Sequence, residues 1–266
     1  MASRSPRIGV SQICSWGWSL EEDLSFYAST GVDRIGLHRR KLDARGWDDA
    51  VSDVVRSGLT VDDLIVPSPL RVARPADTER QRDELGRLAE LAARCGAAQL
   101  CTTTGPPDGL DWDEAADALE ALVRPVVGEL AIPLTLEHTN GLRVDLSFLL
   151  TLRDAVDLAR RIGVGVCVEI TACFAERALG RTIRDGVDTF SLVQLSDFVT
   201  GTTCTPDRAV LGDGDIPWPR MLRLFEEAGY AGPYELELVG PRVEEEGYAS
   251  AITRSIEALD DHLDRT

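Results

Sequence analysis

Neither glycine-rich phosphate loop of the nucleotide-binding α/β proteins occurs in the sequence. With no GxGxxG and no GxxxxGK[ST], the usual dinucleotide and P-loop sheets lose their signature, and no nucleotide cofactor is expected. Histidine is scarce, with three in 266 residues. The six cysteines, Cys14, Cys95, Cys101, Cys167, Cys173 and Cys204, form no CxxC pair and no zinc-ribbon spacing. Positive charge is in deficit: 28 Lys and Arg against 45 Asp and Glu give a formal net charge of -17, which repels nucleic-acid phosphates. The densest basic run, Arg39-Arg40-Lys41, is short, is followed by Asp43 and reads as a solvated loop. No apolar run approaches the roughly 20 residues of a spanning helix. The opening Met-Ala-Ser-Arg-Ser-Pro leads into a short strand without an apolar leader. These absences point to a cytoplasmic protein with reduced, buried thiols and with neither nucleic acid nor membrane as partner.

What is present is a repeat. Hydrophobic residues make up 44% and charged residues 27%, enough for a large core. Short runs rich in Val, Ile and Leu recur, each followed by a longer amphipathic segment. The strand candidates are Arg7 to Cys14, Asp33 to His38, Thr60 to Pro67, Ala97 to Thr103, Ile132 to His138, Val164 to Ile170, Thr189 to Leu195 and Tyr234 to Val239. Helical spacing covers Leu20 to Thr30, Trp47 to Ser57, Asp77 to Cys95, Trp112 to Leu130, Leu146 to Ile162, Phe174 to Asp185, Pro217 to Ala228 and Glu244 to Leu263. Gly31, Gly58, Gly96, Gly163 and Gly229 each follow a helix, where a residue tolerant of positive φ stops it at low cost. No linker divides the chain, so one α/β domain over residues 1–266 is expected. A closed (β/α)8 barrel is preferred over an open sheet because the phosphate-loop motifs are missing, and either architecture binds ligands beyond the carboxyl ends of its strands.

Oxygen-bearing side chains gather at those ends. Glu137, Glu169, Gln194 with Asp197, and Glu235 with Glu237 close four successive strands in otherwise apolar contexts. Alternation puts Glu235 and Glu237 on one face and Leu236 and Leu238 on the other, so the two acids face inward. An inward acid needs a partner or a metal. The competing reading leaves each acid solvated or paired with an arginine. His38 ends the second strand and is either a substrate or acid-base contact or a surface residue. His138 should point away from Glu137 and reads as structural. Arg208 is either a substrate contact or a solvated loop residue, and Trp16 and Trp18 form either an aromatic wall for a substrate or plain loop packing. Gly212-Asp-Gly-Asp215 reads as a turn into the helix at Pro217, since its carboxylates oppose an anion.

The segments Pro133 to Asn140 (PLTLEHTN), Leu192 to Asp197 (LVQLSD), Gly212 to Pro217 (GDGDIP) and Gly229 to Glu237 (GYAGPYELE) resemble the sugar-phosphate isomerase/epimerase superfamily of xylose-isomerase-like TIM barrels. The resemblance implies a divalent-metal site whose four ligands fall on Glu137, Glu169, Gln194 and Glu237. Glu169 stands where the family commonly has aspartate, Gln194 where it has histidine, and Ala172 where a further histidine is usual. An all-oxygen donor set suits Mn2+ or Mg2+, with Co2+ as a further candidate, better than Zn2+. Three histidines, one of them His262 in the terminal helix, cannot assemble the multi-zinc site of the endonuclease branch. By this resemblance Glu137 and Glu237 are the catalytic pair, moving a proton next to a carbonyl through a metal-bound enediolate. Arg208 resembles a loop position at which the family presents arginine to a small sugar-like substrate, and His38, Trp16 and Trp18 are the further candidates for substrate contact. Isomerase or epimerase activity is the first expectation and a lyase or dehydratase acting on inososes or keto-glycosides the second. A metal-free binding protein is the third, and a homo-oligomer remains open.

Overall fold

The computed structural model describes residues 4–66 and 70–265. Its eight strands are β1 (Ile8–Ser11), β2 (Arg34–His38), β3 (Thr60–Val66), β4 (Leu100–Thr103), β5 (Leu134–Glu137), β6 (Gly165–Glu169), β7 (Phe190–Leu195) and β8 (Tyr234–Leu236). All pair in parallel, each with its sequence neighbour, and β8 closes onto β1 to complete the barrel. The expected strand end at Pro67 lies outside the described residues. The helices are α1 (Leu20–Thr30), α2 (Arg39–Arg45), α3 (Trp47–Ser57), α4 (Thr78–Arg94), α5 (Trp112–Val123), α6 (Leu152–Ile162), α7 (Ile170–Cys173), α8 (Leu179–Gly186), α9 (Trp218–Glu227), α10 (Pro241–Glu246) and α11 (Tyr248–Leu263). Among the described residues no helix is long and apolar enough to cross a membrane.

Local chemistry explains most boundaries. Ser19 and Glu22 form a capping box that starts α1, and Gly31, at φ 85, ends it. Asp111 and Glu114 start α5 in the same way. All five glycines expected to stop helices have positive φ.

Five expectations need correction. The helix expected over Trp112 to Leu130 ends at Val123, because Pro125 has no N–H with which to continue the helical ladder beyond Arg124. The helix expected from Leu146 begins at Leu152, where the Thr151 side chain accepts from the Asp154 N–H. The stretch Phe174 to Asp185 is helical only from Leu179, beyond the left-handed residue Ala178, and the segment Glu244 to Leu263 is broken at Gly247, at φ 95. The basic run Arg39-Arg40-Lys41 is not a solvated loop: it opens α2, and Lys41 is buried.

Two apolar compartments result. The larger fills the layer between strands and helices, where β-branched and leucine side chains of both meet. The smaller, inside the barrel, comprises Ile65, Cys101, Cys167 and Leu192, with Ile13 packed against it. Five of the six cysteines are buried free thiols and Cys204 is exposed. The inner plug is small because much of the inward face carries polar side chains instead.

Candidate functional site at the barrel mouth

At the carboxyl ends of the strands a cavity of about 450 Å3 opens, lined by Trp16, His38, Glu137, Glu169, Arg208 and Glu237 among others. Six of the eight residues expected at the site therefore share one cavity. A second cavity, about 550 Å3, lies beside α4 among Arg71, Arg80, Glu84 and Arg87 and contains none of the strand-end acids.

The three glutamates arrive from three directions. Glu137 ends β5, Glu169 ends β6, and Glu237 follows β8, tied down by its own N–H donating to the Leu195 carbonyl at 2.9 Å. Glu169 Oε1 accepts from the Thr171 N–H at 2.9 Å, so the acid caps α7 as it faces the cavity. Arg208 is the cation among them: its Nη2 donates to Glu169 Oε2 and lies 4.0 Å from Glu237 Oε2, while its Nε is buried without a partner. Its backbone N–H donates to Val239 just beyond β8, which fixes the loop that carries it. Burial raises the Glu137 carboxyl to about 7, helped by the charge of Glu169 and opposed by Arg208. Glu237 is pushed well above the usual range by burial and then by Glu137 and Glu169. Three acids of one sign thus crowd a site in which Arg208 stands among them and Arg143 lines the wall.

Gln194 is not part of the cavity wall. It lies deeper and fully buried, its Nε2 donating to Glu235 Oε1 at 3.1 Å and its Oε1 without a partner. Glu235 faces inward as expected but sits one layer below Glu237, near Asp63, whose two carboxylate oxygens are also unpartnered. Burial, then the charges around them, pushes both acids well above their ordinary values. Among the described residues no three His, Cys, Asp or Glu side chains stand ready-made as a metal cage.

His38 is almost completely buried, and its Nδ1 accepts from the Arg40 N–H at 3.3 Å, which places the proton on Nε2. Burial, then Lys41 and Arg40, lowers its pKa to about 4, so the ring is neutral at pH 7. Trp16 packs edge-on against His38 with centroids 5.0 Å apart and carries Arg40 on its face at 4.7 Å. Trp18 instead packs on Phe26 and Tyr248 and is not a lining residue, so the expected aromatic wall is Trp16 alone. His138 is fully buried with both ring nitrogens unpartnered and does not line the cavity. Asp197 accepts from the N–H groups of Phe198, Gly212 and Ile216 and so pins the Gly212–Asp215 turn rather than binding an anion.

Sequence reasoning missed the support behind His38. Lys41 Nζ donates to Asp23 Oδ2 at 2.6 Å, Gln12 Nε2 donates to the same oxygen at 2.9 Å, and Gln12 Oε1 accepts from the His38 N–H at 2.8 Å. These groups are far apart in the chain and carry no local signal. Asp63 had one: two consecutive acids, Asp62 and Asp63, inside an apolar strand.

The family model for the xylose isomerase-like TIM barrel matches residues 24–261. Among solved structures, a protein from Sinorhizobium meliloti 1021 superposes with a TM-score of 0.86 at 21% identity, covering 94% of this chain and 96% of that one. The IolI protein, solved with a bound zinc atom, gives 0.83 at 14% identity over 97% and 98% of the two chains. D-psicose 3-epimerase from Clostridium cellulolyticum H10, solved with D-tagatose, gives 0.75 at 15% identity over 96% and 98%. No curated protein matches significantly. A match over nearly the whole chain, on a closed eight-stranded parallel barrel, means that the chain belongs to the xylose isomerase-like TIM-barrel family.

Proposed function

We propose that the protein is a divalent-metal-dependent isomerase or epimerase of a small, sugar-like polyhydroxy carbonyl compound. The observation that carries this reading is the convergence of Glu137, Glu169 and Glu237 on one cavity at the carboxyl end of the barrel. Glu137, Glu169, Glu237 and the deeper Gln194 are the residues that would hold the ion. Two features support the fit: the donors are all oxygen, which suits Mn2+ or Mg2+, and Gln194 Oε1 is a buried acceptor with no partner. Arg208, now on Glu169, would have to release that carboxylate for it to hold the ion. The IolI protein, similar in fold and solved with a bound zinc atom, supports a metal in this chain.

When bound, the ion supplies Lewis-acid polarisation of a substrate oxygen. The rest follows from the chain's own side chains. β5 and β8 are three strands apart in a ring of eight, so Glu137 and Glu237 address a substrate carbon from two sides, one removing a proton and the other returning it. Arg208, released from Glu169, hydrogen-bonds substrate oxygens, and the neutral His38 offers its Nε2–H. Trp16, with Ile13 and Ile65, gives the substrate an apolar wall and keeps water out. Return of the proton to the same carbon is epimerisation, and delivery to the neighbouring carbon is isomerisation.

The test is elemental analysis of the purified protein beside Glu237→Ala, followed by substrate screening in deuterated water. About one Mn or Mg per chain, lost in the variant, with solvent deuterium entering a ketose or inosose, supports the reading. A product lighter by one water, whether or not it carries deuterium, favours the lyase. A protein whose metal content and melting temperature ignore added Mn2+ and Mg2+ refutes the metal-dependent reading and favours a binding protein.

A further inference from the structure

Gln194 carries an amide with two unlike ends. The oxygen accepts hydrogen bonds and ligates cations, whereas the nitrogen only donates. Which end faces the site is therefore a matter of chemistry as well as shape, and the neighbours decide it. In the strand register Gln194 pairs with Glu169 of β6 on one side and Glu235 of β8 on the other. Its Nε2 donates to Glu235 Oε1 at 3.1 Å, and its Oε1 remains buried without a partner. The two atoms diverge from one carbon, so with the nitrogen held on Glu235 the oxygen is the end left free. Glu235 is itself held: it is fully buried, and its Oε2, with Asp63 Oδ1, fills the space that a Cβ on Gly36 would occupy.

We infer that Glu235 is a positioning residue, which holds the Gln194 amide by its nitrogen so that the oxygen is the end offered to a cation at the carboxylate cluster. An amide without that anchor presents its NH2 as readily as its oxygen, and the NH2 end repels a cation. This rests on the metal reading above and goes beyond it by assigning a role to an acid outside the cavity wall.

The experiment is a double-mutant cycle on the full chain, reading Mn2+ affinity by titration calorimetry for the parent, Glu235→Gln, Gln194→Ala and the double variant. Glutamine at 235 keeps the shape but donates and accepts alike, so it no longer selects one end. Glu235→Ala is carried in parallel, so that a folding failure of one variant leaves the other to decide. The expected result is an approximately 10-fold weaker Kd for Glu235→Gln. In the Gln194→Ala background the same change costs less than about twofold, because no amide is left to orient. An unchanged Kd in Glu235→Gln overturns the inference. So does a loss that persists undiminished without Gln194, since Glu235 would then act through its charge. A parent that binds no Mn2+ overturns the metal reading and this inference together, which separates the two failures.

Discussion

Lys41→Met removes one ammonium and keeps the aliphatic stem. Lys41 is 6% exposed and its Nζ donates to Asp23 Oδ2 at 2.6 Å and to the Ser15 carbonyl at 2.8 Å. Asp23 is fully buried and keeps two donors, Gln12 Nε2 at 2.9 Å and Ser15 Oγ at 2.6 Å. Breaking a buried pair from one side costs about 3–5 kcal/mol, because a charge stays behind without its partner. The two surviving donors set the expectation at the lower end, about 3 kcal/mol. At about 2 cal/mol/K per residue, a chain of this length loses about 2 °C per kcal/mol, so the melting temperature falls by about 6 °C. The deficit also depends on pH, with a definite sign. Burial already raises Asp23 from 3.8 to about 6 against the pull of Lys41. Without Lys41 the native value rises further, and a native pKa above the unfolded one means that the native state binds more protons between the two values. Stability of the variant therefore falls as pH rises through that window, and its deficit is largest above about pH 7 and shrinks toward about pH 5. Urea melts at the two pH values measure this, with Asp23→Asn in the Lys41→Met background expected to recover more than half of the loss. A deficit under about 1 kcal/mol at high pH, or one that is equal at both, refutes the buried-pair reasoning.

Arg208→Ala should lower kcat/KM by about 100-fold, the scale of one lost charged donor. Added Mn2+ should raise the melting temperature of that variant more than the parent's, because no guanidinium competes for Glu169; equal shifts contradict the competition. Gly36→Ala drives a Cβ into Glu235 and Asp63 and should cost about 2 kcal/mol or more in a denaturant melt. Glu235→Ala should restore part of that loss, and a Gly36→Ala protein that melts with the parent would remove the basis for the crowding. Thiol titration should find one reactive cysteine per native chain, Cys204, and all six after denaturation. Rapid labelling of a second thiol in the native state would contradict the burial of the other five.

The sequence contained the fold because the barrel repeats its instructions locally. Eight apolar runs, five glycine stops with positive φ and two capping boxes act within a few residues of one another, and the closed parallel sheet follows once no phosphate loop argues for an open one. Boundaries were legible where a single residue sets them, as at Gly31. They were lost where a helix broke inside an apolar pattern, as at Ala178 and Gly247. Strand-end acids were legible for the same local reason: alternation fixed the inward face of Glu235 and Glu237, and position along the strand brought Glu137, Glu169 and Glu237 to one mouth. Depth was not legible. Alternation gives a side but not a layer, so Gln194 and Glu235 were grouped with the cavity residues although they lie beneath them. Nor did the sequence reveal that Arg208 bridges two of the acids, that Trp18 packs away from the cavity, or that Lys41 is buried on Asp23. Apart from Trp18 on Phe26, those contacts join residues from different βα units, and only the closure of the barrel, which brings β1, β2 and β8 side by side, decides which charges share a dry space and which end of an amide is left free.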